Sequence, residues 1–133
     1  MLVPVPKHLS YSGQEYALPV EGLIVLDCPQ PQLLLPAARR FQQKLAACGR
    51  GGWQIAAAAS PDEGGHIWVR CLPGALRQPQ GYLLKISPEG VDLLSSDPAG
   101  AFYGLQTLQQ LLEQSNAVLP GLDCRDWPDF PQR

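Results

Sequence analysis

Three groups of acidic residues could supply the paired carboxylates that acyl and glycosyl transfer reactions use. The groups are Asp62/Glu63, Glu89/Asp92 and Asp123/Asp126/Asp129. Paired carboxylates act when their surroundings drive their pKa values apart. The first two groups fall in predicted turns, where acidic side chains bond the local backbone and stay solvated. In the third, Pro128 and Pro131 exclude the helix that would align the carboxylates. A small hydrolase using the turn carboxylates is therefore the least favoured hypothesis.

Other chemistries lack their sequence motifs. No G-x-S-x-G elbow occurs, and His8 and His66 lie in or beside predicted strands without an acid–nucleophile pair nearby in the sequence. The glycine-rich segments 49–52 and 64–65 match neither the dinucleotide-binding nor the P-loop pattern. No cysteine pair or Cys–His pair has zinc-site spacing. We expect no catalytic residue, no metal site and no cofactor within this chain.

Three tryptophans could in principle make a surface on which a sugar ring stacks. Trp53 and Trp68 lie in predicted strands whose faces must be buried, so we expect both in the core. Trp127 lies in the C-terminal tail, close to Phe130. A free-standing carbohydrate-binding or protein-interaction module is therefore kept as the alternative function.

Size and composition predict one globular domain. The chain has 133 residues, of which 45% are hydrophobic and 17% charged, and its 13 Gly and 14 Pro indicate many turns between short elements. Ten basic and 12 acidic residues give a net charge of -2 with no run of like charge. This distribution provides no basic footprint for nucleic acid and no polybasic membrane anchor, so we expect neither partner.

The cysteines and the N-terminal residues bear on the compartment. Cys28, Cys48, Cys71 and Cys124 stand in apolar surroundings, and we expect them to be reduced core residues rather than disulfides. Residues 1–20 contain three prolines and no continuous apolar stretch, so we expect neither a signal peptide nor a membrane span there. The compartment stays open, cytoplasmic or periplasmic for a bacterial protein.

Apolar runs and helical periodicity predict the elements. The predicted strands are residues 2–5, 15–18, 22–28, 53–58, 66–71, 82–86, 91–95 and 117–122. Polar residues 10–14 predict a reversal that makes an opening hairpin or meander of the first two. A turn with Pro88 and Gly90 joins the clearest hairpin. One amphipathic helix is predicted over 34–48, and a second begins at Pro98 with Asp97 as its N-cap.

These elements predict an α+β fold. We expect a small mixed, mostly antiparallel sheet with two helices packed on one of its faces. The strand–helix–strand order of residues 22–58 predicts a right-handed crossover. We also expect one exposed apolar patch, on the second helix or on the Trp127/Phe130 tail, through which the chain could self-associate.

Four segments together resemble the N-terminal domain of glycoside hydrolase family 20, the β-N-acetylhexosaminidases. They are residues 2–6, 79–86, 97–111 and 126–133. The specific part is the helix G-x-F-Y-G-L-Q-T-L-x-Q-L, which begins at Gly100, followed by D-W-P-D-F-P-x-R, which ends at Arg133. The resemblance covers essentially the whole chain.

The resemblance implies a non-catalytic domain packed against a following (β/α)8 barrel. Residues 1–122 would form the domain, and residues 123–133 would be a junction leading into a barrel absent from this sequence. The parent would release terminal N-acetylglucosamine or N-acetylgalactosamine by substrate-assisted retaining catalysis, using an Asp-Glu pair on the barrel. The resemblance also implies that Arg133 binds sugar hydroxyls. We expect Trp127 and Phe130 to dock the domain.

Overall fold

The computed structural model describes residues 6–57, 66–115 and 117–128. The strands are β1 (His8–Ala17), β2 (Glu21–Asp27), β3 (Gly52–Ala56), β4 (His66–Cys71), β5 (Tyr82–Ser87), β6 (Gly90–Ser95) and β7 (Val118–Asp126). The α-helices within the described ranges are α1 (Leu35–Ala47) and α2 (Pro98–Ser115), and a 3-10 turn at Pro31–Leu33 precedes α1. The predicted α+β class is confirmed.

All the described strands join one sheet in the order β1-β7-β5-β6-β4-β2-β3. The pairs β2–β3, β2–β4 and β4–β6 are parallel, and the pairs β1–β7, β5–β7 and β5–β6 are antiparallel. The sheet is therefore mixed, as the sequence predicted. The crossover β2–α1–β3 and the hairpin β5–β6 are also where the sequence placed them.

Both helices lie on one face of the sheet and cover the core. Strand side chains that point toward the helices are fully buried, and Ile24, Ile67 and Leu93 are 0% exposed. From α1, Phe41 and Leu45 enter this core; from α2, the buried set is Ala101, Leu105, Leu108, Leu111 and Leu112. Because strand side chains alternate between faces, the other face of the sheet carries the intervening residues, and neither α1 nor α2 lies over it.

The Asp97 side chain determines where α2 begins. The carboxylate of Asp97 accepts a hydrogen bond from the backbone N–H of Gly100 at 2.8 Å and another from Gln80 N–H at 2.9 Å, so it caps the helix and ties it to the preceding loop. Gly100 lies against the carbonyl of Gly81, and Gly104 lies against the Leu93 side chain. These small residues let α2 approach the sheet closely.

The predicted opening hairpin is wrong where the structure describes it. Residues 10–14 do not reverse the chain; they continue β1, which pairs along its length with β7 and absorbs an irregularity between Tyr11 and Glu15. Residues 2–5, the other predicted strand of that hairpin, lie outside the described ranges. Strand β7 runs on to Asp126, so residues 123–126 are sheet residues. The division at residue 122 stays a prediction. Within the described ranges no helix has the length and apolarity to cross a membrane.

Candidate functional site: the outer face of the helix layer

The outer sides of the two helices differ in charge. Helix α1 carries Arg39, Arg40 and Lys44 within 13 residues. Helix α2 has a single charged residue, Glu113, within 18. A helix that faces water on one side ordinarily places charged residues there. The outer side of α2 instead presents glutamines and the half-buried rings of Phe102 and Tyr103.

A row of contacts crosses the groove between the helices. The Arg40 guanidinium lies 5.6 Å from the centre of the Phe102 ring, which is itself stacked on Tyr103 at 5.9 Å with 8° between the ring planes. At the other end, Lys44 Nζ lies 3.6 Å from Glu113 Oε1. In both contacts a cation of α1 lies against an acceptor on α2. The acceptor is the Phe102 ring for Arg40 and the Glu113 carboxylate for Lys44.

The predicted exposed apolar patch on α2 is not found in that form. Among the described residues, the exposed large hydrophobic side chains lie elsewhere: Tyr11, Val20, Leu23, Leu33, Leu72 and Val118. Phe102 and Tyr103 are partly covered, since they stack on each other and Arg40 lies over one of the rings. Between Pro98 and Leu112 the outer side of α2 therefore carries glutamines and two aromatic rings, without a charged residue, rather than an openly hydrophobic patch. Self-association through it stays a prediction.

The predicted docking residue Trp127 lies near the start of α2. It is half-buried directly after β7, and Lys7 Nζ lies 5.7 Å from its ring centre. Gly81 stands between the two regions, because it neighbours Trp127 on one side and its carbonyl packs against Gly100 on the other. Gly81 thus lies between Trp127 and the sheet-facing side of α2. Phe130 and Arg133 lie outside the described residues.

The other tryptophans divide between the two faces of the sheet. Trp53 is 1% exposed and its indole N–H donates to the carbonyl of Pro19 at 2.8 Å, so its predicted core position is confirmed. The predicted core position of Trp68 is wrong. It alternates with buried Ile67 and Val69, and this register turns it to the face without helices, where the Arg70 guanidinium lies 4.4 Å from its ring centre.

This open face also holds unpartnered polar atoms. Trp68 Nε1, Arg70 Nε and Asp92 Oδ1 are shielded from water and make no hydrogen bond. Asp92 is paired across strands with both Trp68 and Lys85. The prediction of a solvated turn carboxylate is therefore wrong for Asp92, a strand residue, whereas Glu89 does lie exposed between β5 and β6. Arg70 lies on the Trp68 ring, so that ring is not a free stacking surface.

The inner side of α2 makes one buried polar contact. The Tyr82 hydroxyl lies 2.6 Å from Thr107 Oγ1 and 3.8 Å from Cys124 Sγ. Burial raises the pKa of Tyr82 and raises the pKa of Cys124 to about 11. Both groups are therefore protonated at neutral pH. Their contact fixes α2 on β5 and β7.

The remaining catalytic candidates are not brought together. His8 is exposed on β1, and His66 begins β4. Asp123 and Asp126 lie on β7, while the pair Asp62/Glu63 and Asp129 fall outside the described residues. Among residues 6–57, 66–115 and 117–128, no three His, Cys, Asp or Glu side chains form a group that could hold a metal ion.

A family model decides the relationship. The model of glycosyl hydrolase family 20, domain 2, matches residues 1–127, almost the whole chain. The chain belongs to this family. A β-hexosaminidase of Porphyromonas gingivalis is 31% identical over 141 residues, a region that covers 99% of this chain and 18% of the relative.

Solved structures agree with this assignment of the family 20 domain. Streptomyces plicatus N-acetyl-β-hexosaminidase, in complex with thio-NAglucal, matches with a TM-score of 0.68 and 27% identity over 96% of this chain and 26% of that one. The β-N-acetylhexosaminidase of Bacteroides fragilis shares the fold, with a TM-score of 0.71, 19% identity and 97% of this chain covered against 25% of that one. The family 20 domain thus spans about a quarter or less of each relative.

Proposed function

We propose that this chain is the non-catalytic domain of a β-N-acetylhexosaminidase and supports the catalytic barrel of the same protein. The observation that carries the proposal is the match of residues 1–127 to a domain that forms only 18% of the P. gingivalis relative. The described residues supply no acid pair, nucleophile site or metal cluster. The chemistry then belongs to a part of the parent outside this sequence.

The parent would remove terminal N-acetylglucosamine or N-acetylgalactosamine from glycans. In the substrate-assisted retaining mechanism that the resemblance implies, the substrate's own acetamido oxygen attacks the anomeric carbon while a carboxylic acid protonates the leaving oxygen. The acid and the residue that orients the acetamido group would come from the barrel. Arg133 is the one residue of this chain proposed to reach the sugar.

The helix layer is the surface best suited to face the barrel. Burying a charged side chain without a partner is costly, so a surface that becomes covered tends to lack charge at its centre and to carry aromatic side chains. The outer side of α2 fits this description between Pro98 and Leu112. Arg39 on α1 would lie toward the rim, whereas Arg40 would be covered together with the Phe102 ring on which it lies. Trp127, directly after β7, is one proposed docking group. Phe130, as a second proposed docking group, would continue the surface along the tail.

A domain replacement tests the proposal. The segment of the P. gingivalis β-hexosaminidase that matches this chain is replaced by residues 1–127, and turnover of 4-nitrophenyl N-acetyl-β-D-glucosaminide is measured for the chimera and for this chain alone. We expect turnover by the chimera and none by the chain. Turnover by the chain alone would disprove the non-catalytic assignment, and an inactive, unfolded chimera would count against a supporting role.

Two variants of the chimera locate the contact. Phe102→Glu places a charge at the centre of the proposed surface, and Arg39→Glu changes a charge at its rim. We expect Phe102→Glu to lower the chimera's melting temperature further than Arg39→Glu does. The loss of activity should be at least tenfold greater for Phe102→Glu. In the isolated chain both variants should fold, since each side chain is at least partly exposed. Equal effects of the two variants in the chimera would exclude the α2 surface.

The alternative, a free-standing carbohydrate-binding module, gains little from the structure. Trp53 is in the core, and the Trp68 ring is covered by Arg70. Tryptophan fluorescence during titration with N-acetylglucosamine and chitin oligomers distinguishes the two functions. No change at millimolar sugar is the result expected for a supporting domain, and a saturable change would favour the alternative.

A further inference from the structure

Two cysteines stand side by side where two parallel strands end. Strands β2 and β4 are hydrogen-bonded neighbours, and Asp27 lies opposite Arg70 at the last pair of their ladder. The next residues along the two chains are Cys28 and Cys71. In parallel strands, residues at the same register point to the same face, so both side chains turn toward the helix layer. The topology itself therefore creates this pair.

The geometry places Cys28 against the strand that carries Cys71. Cys28 Sγ lies 4.0 Å from the carbonyl oxygen of Val69, which is on β4 two residues before Cys71. Cys71 is paired across strands with Ser95 of β6. The carboxylate of Asp27 further raises the pKa of Cys28, and that of Asp97 further raises the pKa of Cys71. Both thiols have a raised pKa, chiefly because they are buried, and that of Cys28 rises to about 12.

The members of the pair differ in access to solvent. Cys28 is half-buried, whereas Cys71 is 3% exposed. The other two cysteines are elsewhere: Cys48 follows α1, and Cys124 lies in β7 beside Tyr82. An oxidant in solution can therefore reach Cys28 first, and Cys71 is the neighbour placed to complete the reaction.

We infer that Cys28 and Cys71 form a dithiol site that small disulfides of the oxidised-glutathione type convert to an internal disulfide. The Cys28 thiolate attacks the glutathione disulfide, which gives a Cys28–glutathione mixed disulfide and releases one glutathione thiolate. The Cys71 thiolate then attacks Cys28 Sγ and releases the second glutathione. Two protein thiols lose two protons and two electrons, and one glutathione disulfide becomes two reduced glutathione molecules.

The bond would join the two strands at the edge where both helices begin. The segment between the two cysteines contains α1 and β3, and Cys71 lies close to Ser95 and Asp97, which precede α2. Closing this segment covalently reduces the freedom of the unfolded chain. The oxidised domain is therefore more resistant to heat than the reduced one, with its fold unchanged.

The test measures thiols and linkage in the full chain. The folded protein is incubated with oxidised glutathione at pH 9, where the thiolate fraction is larger than at pH 7, and free thiols are titrated under denaturing conditions. We expect four thiols to fall to two, with peptide mapping showing a Cys28–Cys71 link and a higher melting temperature that dithiothreitol reverses. Cys48→Ser should lose two thiols like the wild type, whereas Cys28→Ala and Cys71→Ala should form no internal bond.

Three results would overturn the inference. They are four persistent thiols, a glutathione adduct that stays on Cys28 without being displaced, and a disulfide that joins any other pair. If Cys71→Ala fails to fold because its side chain is buried, Cys28→Ala still decides the matter, because it removes the accessible member of the pair. Circular dichroism of each variant before oxidation establishes which of them is folded.

Discussion

Helices α1 and α2 lie side by side on one face of the sheet, yet they differ on both of their sides. The buried side of α1 is entirely apolar, and its outer side is charged. The buried side of α2 includes a hydroxyl contact between Thr107 and Tyr82, and its outer side has one charged residue in 18. The charged outer side of α1 is typical of a helix that faces water. The nearly uncharged outer side of α2 is typical of a helix that another part of the protein covers. This contrast is the main support for proposing that α2 faces the barrel.

The inner sides of the two helices should be equally important. Leu45 on α1 and Leu112 on α2 are both 0% exposed, so replacing either by alanine leaves a cavity in the same core. We expect Leu45→Ala and Leu112→Ala each to lower the free energy of unfolding by about 3 kcal/mol, measured by urea denaturation. Arg39→Ala and Gln106→Ala on the outer sides are controls with changes below about 0.5 kcal/mol. If only one of the two variants lost stability, the inner sides of the helices would not be equally important.

Close approach to the sheet should distinguish α2 next. A methyl group at Gly100 would overlap the Gly81 carbonyl, and one at Gly104 would overlap the buried Leu93 side chain. We expect Gly100→Ala to lower the free energy of unfolding by about 2 kcal/mol and Gly104→Ala by somewhat less, since a side chain yields more readily than backbone. Gly51→Ala, which has open space around it, is the matched control. Unchanged stability in both helix variants would show that α2 can move away from the sheet.

High pH should weaken the packing of α2 on β7. Burial raises the pKa of Cys124 to about 11 from 9.0, so the unfolded chain loses this proton before the folded protein does. The free energy of unfolding should therefore fall as pH rises from about 9 to about 11, by up to about 1.4 kcal/mol per pH unit for this thiol. Urea denaturation at several pH values in dithiothreitol measures the slope. Cys124→Ala should make it shallower, and an identical slope would assign the loss to other groups.

The smallest expected effect concerns the hydroxyl pair under α2. In Thr107→Val the Tyr82 hydroxyl stays buried with only the weak Cys124 thiol as a partner, which should cost about 1 kcal/mol or slightly more. Tyr82→Phe should cost less, because a threonine hydroxyl can bond back to a carbonyl of its own helix. Thermal denaturation of both variants measures the difference. The reverse order would show that Tyr82, and not Thr107, finds another partner.

Local signals in the sequence were enough to predict most elements. The β5–β6 hairpin follows from its own turn at Pro88 and Gly90, and α2 begins where the Asp97-Pro98 dipeptide predicts. The opening hairpin was predicted by the same reasoning and is wrong, because residues 10–14 pair with the distant strand β7. The pairing of β1 with β7 outweighed the local preference of residues 10–14 for a turn. That pairing cannot be read from the residues of β1 alone.

The candidate site was partly readable from the sequence. The scarcity of charge along α2 is visible in the sequence, but the expectation of a surface that another domain covers came from the family resemblance. The covering of Phe102 by Arg40 was not predictable, since it depends on the packing of α1 against α2. The orientation of Trp68 escaped prediction because both faces of β4 were assumed to be buried, whereas the helices cover only one.

The pairing of β1 with β7 also determines when the sheet can be completed during synthesis. Residue 8 lies opposite residue 125, so the first described strand has to wait for the last one. At synthesis rates of about 5–20 residues per second, β1 leaves the ribosome roughly 5 to 20 seconds before its partner does. Over that interval it has no neighbour on either edge. Its polar residues, among them Ser10, Ser12 and Gln14, keep the waiting strand compatible with water until β7 closes the sheet.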